Sequence, residues 1–139
     1  MLFWVESQMK TQRITWQRVQ AQTDNGTVDL KRVPGMGPDL DNTCIYAVCH
    51  LQAAADTPAR LKVGSDDGYV LFMNGWRVGE TRDDRRNFAP DAESFDVDLH
   101  AGENLLVFKL CNAAGDFLMR IRVTDRQDQP AQGITVVLP

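Results

Sequence analysis

Apolar and polar residues alternate with a period of two along much of this chain, the spacing that turns one face of a β-strand to a core and the other to water. Residues 14–20 and 95–99 alternate, and residues 105–111 form a nearly continuous apolar run of the kind a sandwich core buries. Shorter strands are predicted at 27–30, 44–52, 60–64, 69–73, 76–79, 117–123 and 134–138. Turn signals separate them at Asp24-Asn25-Gly26, Ser65-Asp66-Asp67-Gly68, Asn74-Gly75, Ala101 to Asn104 and Asn112 to Gly115. Asn74-Gly75 is the strongest of these, because a type I′ hairpin turn needs positive φ at both central residues. Residues 33–42, with two prolines and two glycines, and the polar residues 81–93 read as loops. About eight or nine short strands with regular turns predict an all-β chain, an antiparallel β-sandwich with little or no helix. Val63, Val70, Phe72, Leu105, Val107, Ile121 and Val123 are expected between its sheets, where a register slip of one residue would exchange several of them.

At 139 residues the chain has the size of one domain, 1–139, in which residues 1–12 and 126–139 read as peripheral or linker-like. It is 43% hydrophobic, enough for a core, and its net charge of −4 argues against nucleic acid or an anionic membrane as partner. Its apolar runs are too short to span a bilayer, so no membrane insertion is expected. The opening apolar run, residues 1–5, is shorter than a secretory signal requires, so no signal peptide is read in this chain.

Three cysteines cannot all pair within one chain. Cys44 and Cys49 lie five positions apart on one predicted strand, about 16 Å at 3.3 Å per residue and on opposite faces, so they cannot bond to each other. Cys111, on another strand, could meet either. The expectation is three thiols used as small hydrophobes. Zinc is not expected, since no C-x-x-C occurs and His50 and His100 are isolated.

Trp76 follows the hairpin turn directly, where a large ring either folds onto the core or is presented to a ligand. Arg82, Arg85 and Arg86 with Asp83 and Asp84 read as a solvated loop, or as a site for an acidic sugar, since guanidinium forks suit carboxylate and sulfate and arginine outnumbers lysine eleven to four. Tyr69, Phe72, Phe95, Phe108 and Phe117 occupy strand positions and read as core. No nucleophile elbow, phosphate loop or metal-binding helix is present, and no carboxylate pair stands in a recognisable catalytic motif, so the chain reads as a non-enzyme.

The stretch GSDDGYVLFMNG at 64–75 resembles the strand–turn–strand signature of galactose-binding-like jelly-roll modules, the carbohydrate-binding-module-like β-sandwiches. Residues 82–86, 98–109, 115–117 and 120–125 fit the same pattern, and the resemblance covers roughly residues 44–136. Protective-antigen-type lectin domains share the Ser-Asp-Asp-Gly segment more distantly. The resemblance implies a bacterial, secreted, periplasmic or cell-surface accessory module that binds glycan or polysaccharide without catalysis, linked to other domains of a longer protein. The alternative is a structural or protein–protein interaction module that binds no sugar, since fold alone does not choose between them. In the protective-antigen type an Asp pair holds calcium, which makes Asp66 and Asp67 candidate ligands for an ion that wants several oxygens, beside their reading as turn stabilisers. The expected glycan site centres on Trp76, with Arg77, Arg82, Asp84 and Arg85 in reach and the 33–42 or 81–93 loop at the same end.

Overall fold

The computed structural model describes residues 2–9, 12–13, 16–36 and 39–137, the first two stretches as backbone only. Twelve strands occur among them: β1 (Leu2–Met9), β2 (Gln12–Arg13), β3 (Gln17–Gln20), β4 (Val28–Asp29), β5 (Thr43–Ala53), β6 (Thr57–Asp66), β7 (Tyr69–Met73), β8 (Trp76–Thr81), β9 (Glu93–Leu99), β10 (Gly102–Asn112), β11 (Leu118–Thr124) and β12 (Ile134–Val137). A single 3₁₀ turn, Leu30–Arg32, follows β4, with the Asp29 side chain accepting the Lys31 N–H at its start. The fold is the all-β antiparallel sandwich that the pattern predicts.

An eight-stranded sheet runs β2-β1-β5-β10-β7-β8, with β3 also paired to β1 and β12 to β5, and faces a four-stranded sheet β4-β11-β6-β9. One core fills the space between, with Leu51, Leu61, Leu71, Leu99, Leu106, Phe108 and Phe117 completely buried. β1 and β2 have no counterpart among the predicted strands, because an apolar run of five residues shows no period to read. Of the strand predicted at 14–20, Ile14 and Thr15 lie outside the described residues, as does Leu138 of the last strand.

The expected core is correct on the small sheet and shifted by one on the large one. Val63 and Ile121 are buried and Val123 packs half-buried against the core. On β7 and β10, however, Tyr69, Leu71, Met73, Leu106, Phe108 and Leu110 point inward, while Val70, Phe72 and Val107 are half-buried on the outer face and Leu105 is 37% exposed. Both strands are apolar on both faces, so hydrophobicity alone does not set their phase. Two asparagines do. Asn104 and Asn112 are buried on β10 in phase with Leu106, Phe108 and Leu110. Asn104 Nδ2 donates to the carbonyls of Leu51, His100 and Gly102, and Asn112 Nδ2 donates to that of Leu40.

Residues 82–92 link β8 to β9 across the edge of the sandwich, and two contacts seat them on the small sheet. A Cβ at Gly64 would strike the Ala89 carbonyl oxygen and come within 3.1 Å of Pro90 Cα, so only glycine lets the loop lie this close to β6. Asp91 accepts from Arg120 (3.0 Å) and Arg122 (2.6 Å), neighbours on one face of β11. Burial alone would raise the Asp91 carboxyl, but the Arg122 hydrogen bond and the charges of Arg120, Arg122 and Lys62 outweigh it and hold the group below its ordinary range. A depressed carboxyl contributes stability above the unfolded value, and that contribution disappears as pH falls through the folded one. Asp91→Asn, which keeps shape and tolerates the local φ of 54°, is therefore expected to lower stability by about 1–3 kcal/mol at pH 7. In urea titrations the gap from wild type should close as pH drops below about 4. A gap independent of pH would show that the charge is not what Asp91 contributes.

Candidate functional site

β6 belongs to the small sheet and β7 to the large one, so Asp66, Asp67 and Gly68 carry the chain across the end of the sandwich. The Asp66–Asp67 peptide is cis, and both side chains are buried, at 8% and 4% exposure. Asp67 Oδ2 accepts the Ala113 N–H (2.9 Å), the Asp67 N–H donates to the Cys111 carbonyl, and the Cys111 N–H donates to that of Gly68 (2.9 Å). Ser65 Oγ donates to the Asp67 carbonyl at 2.7 Å. Asp66 takes the Phe88 N–H. The pair thus pins two loops, 82–92 and 113–117, rather than only its own turn.

Burial pushes the Asp66 carboxyl up to about 6, helped by its hydrogen bond to Asp67 and by the negative charges of Asp67 and Asp116. No lysine or arginine among the described residues forms an ion pair with either aspartate. Two adjacent buried carboxylates without a cation are electrostatically incomplete.

Two open grooves flank the Asp67–Ala113 contact and share Asp84 and Ala113 as walls. One, of about 440 Å³, runs past Asn42, Tyr69, Arg82 and Lys109; the other, of about 530 Å³, holds Asp66, Asp67, Arg85, Asn87 and Asp116. Their rim is braced from below. Tyr69 donates to Glu93 Oε2 (3.0 Å), and Glu93 Oε1 accepts from the nearly buried Arg86 (2.8 Å). Asp83 Oδ1 accepts the Arg85 N–H in the loop above, leaving Arg82, Asp84 and Arg85 exposed.

The structure divides the residues picked from sequence. Asp84 and Arg85 line the second groove with Asp66 and Asp67, and Arg82 lines the adjoining first one. Trp76 and Arg77 do not: β8, six residues or about 17 Å long, lies between Trp76 and the loop. The ring is 79% exposed beside the Asn74-Gly75 turn, and that turn is tied to the 100–104 turn, with Asn74 Nδ2 donating to Asn104 Oδ1 (2.9 Å) and Asn74 Oδ1 accepting the Leu105 N–H (2.8 Å). Arg77 bridges to Glu80 at 3.3 Å. Asp41 and Asn42, which close the 33–42 loop, likewise lie at the aspartate end, where the Asn42 N–H donates to the Ala113 carbonyl and the Gly115 N–H to Asp41 Oδ1. Sequence reasoning missed Lys109, Asn87 and Asp116. The matches of 98–109 and 115–117 to the jelly-roll pattern contain Lys109 and Asp116 without singling them out, and Asn87 carried no signal.

The expectation of three thiols is overturned. The β5–β10 register sets Cys44 opposite Cys111, their Cα atoms are 4.0 Å apart, and they form a disulfide in the wall of the first groove. Cys49, opposite Leu106, is buried and its thiol is pushed up to about 12 by that burial. The pairing follows from register between strands distant in sequence, which spacing within β5 cannot reveal.

As to calcium, the oxygen-only chemistry of the aspartate pair suits a hard cation. Among the described residues no three carboxylate, His or Cys side chains converge, so the protein would supply two carboxylates and leave much of the coordination sphere to carbonyls, water or ligand hydroxyls. That open arrangement fits an ion that must itself grip a ligand.

By sequence, the chain matches no protein-family model and no curated protein. By structure it is similar to an "anti-sigma factor domain-containing protein" (TM-score 0.68, 12% identity, 98% of this chain and 45% of that one). It is also similar to a "PA14 sugar-binding domain from RTX adhesin" (0.53, 16%, 69% of this chain and 52% of that one) and to a "family 35 carbohydrate binding module from an environmental isolate" (0.52, 19%, 100% and 98%). The chain spans about half the length of the first two. At these identities the likeness establishes the fold, a β-sandwich of the kind found in carbohydrate-binding modules.

Proposed function

We propose that this chain is a non-catalytic glycan-binding module of a larger secreted or cell-surface protein, and that it holds sugar hydroxyls through calcium at Asp66 and Asp67. The observation that carries the reading is the pair itself: two adjacent carboxylates, each more than nine-tenths buried and without a basic partner, opening onto a groove. Two structural neighbours, a sugar-binding domain and a carbohydrate-binding module, support it. The Cys44–Cys111 bridge supports an oxidising compartment. The reading is a binding one because the groove gathers cation ligands and hydrogen-bonding groups, while His50 is paired to Glu103 (3.0 Å) and His100 lies at the Asn74 turn.

Calcium is expected to raise the melting temperature, since a ligand of the folded state alone adds about 2.7 kcal/mol at a hundredfold excess over its Kd. Asp67→Asn should remove that rise, and glycan-array binding seen with calcium should vanish with chelator. Trp76→Ala should change neither readout. A wild type whose melting point ignores millimolar calcium and whose glycan binding survives chelator would defeat the calcium site.

A further inference from the structure

We infer that the glycan these two adjoining grooves take is an acidic one, whose anionic substituent is held by Arg82, Arg85 and Lys109 beside the aspartate pair. The inference rests on the binding function proposed above and adds the class of sugar. Its basis is how charges are paired on this molecule. Arg60 lies 2.7 Å from Asp96, Arg86 2.8 Å from Glu93, Arg122 2.6 Å from Asp91 and Arg126 2.7 Å from Asp98. At the grooves Arg86 keeps this habit, while Arg82, Arg85 and Lys109 depart from it. The nearest carboxylate to Arg82 is Glu80 at 3.7 Å, and the Arg82 side chain is 84% exposed. Among the described residues Arg85 and Lys109 form no ion pair, and the Lys109 ammonium instead lies 5.5 Å from the centroid of the Tyr46 ring. Asp84, in the wall common to both grooves, is in no ion pair either.

Cations and carboxylates thus line two adjoining grooves, joined at the Asp84–Ala113 wall, without pairing with one another across them. The cause is not looseness. The Asp83 bond to the Arg85 N–H and the Arg86–Glu93–Tyr69 chain fix the loop that carries two of the three cations. A ligand that satisfies this arrangement brings hydroxyls to the aspartate side and a negative group to the basic side. A neutral sugar would satisfy only the first. The negative group can be the carboxylate of a uronic acid or a sulfate ester, since both accept from guanidinium forks.

The test is titration calorimetry with the whole chain in calcium against three short oligosaccharides of equal length: an oligogalacturonide, a sulfated galactan fragment and a neutral galactan fragment. At least one acidic oligosaccharide is expected to bind about tenfold tighter than the neutral one, with an advantage that shrinks as salt rises. Which of the two wins separates uronate from sulfate. Arg82→Gln combined with Arg85→Gln should erase the advantage, while Arg18→Gln, a loss of positive charge on β3, should keep it. Equal affinity for neutral and acidic chains would overturn the acidic preference and leave the glycan-binding function standing. Absence of binding to all three oligosaccharides and across a glycan array would overturn both.

Discussion

Replacing Cys44 and Cys111 together by alanine is expected to lower the stability of the fold by about 4 kcal/mol, a large fraction of what an ordinary domain has to lose. The two residues are 67 apart in sequence, so the bridge removes from the unfolded chain the entropy of a long closed loop. The native sheet loses little by comparison, because β5 and β10 remain paired over eleven residues each. In urea titration the midpoint should fall and the slope should increase, since an unfolded chain without the cross-link exposes more surface. Thiol counting under denaturing conditions gives an independent check: reductant should release two further thiols per chain. A count that reductant leaves unchanged would refute the pairing.

Phe108→Ala is expected to cost about 3–5 kcal/mol, the range for removing a buried phenyl ring and leaving a cavity. Phe108 is fully buried and lies 5.1 Å from the Tyr69 ring, which in turn meets Phe95 edge-on. Tyr69 supports Glu93, and Glu93 supports Arg86. The effect should therefore reach the groove, seen as faster amide exchange in residues 82–92 than the loss of global stability explains. Phe72→Ala makes the comparison sharp. Phe72 is a phenylalanine on the adjacent strand in the opposite phase, half-buried on the outer face, and its loss should cost less than half as much. The reverse order would mean that the register of β7 against β10 is shifted by one.

Those two positions also show where sequence reasoning reaches and where it stops. β7 is legible to the residue, because Gly68 and Asn74 bracket five apolar positions; its phase is not, because both faces are apolar. The phase is written in Asn104 and Asn112, whose burial becomes apparent only when the carbonyls they satisfy are in place. The aspartates and the arginine loop are legible as candidates, yet their assembly into one groove depends on β6 and β7 lying in different sheets. The exclusion of Trp76 from that groove is different. It follows from the length of β8 between Trp76 and Thr81, two residues beyond the strand predicted at 76–79.

The pairing of β1 and β12 along β5 has a mechanical consequence. β12 sets Val137 against His50, β1 sets Trp4 against Val48, and both run antiparallel to β5. The two strands therefore occupy one lane of the sheet in tandem, head to tail, as if a single strand had been cut. The start of β1 and the end of β12 thus lie at neighbouring points along β5. Tension between those points would be carried by that lane of β5, while the aspartate groove hangs from β6, β7 and the far end of β10. A pull on the two ends and a ligand in the groove would then act on different strands.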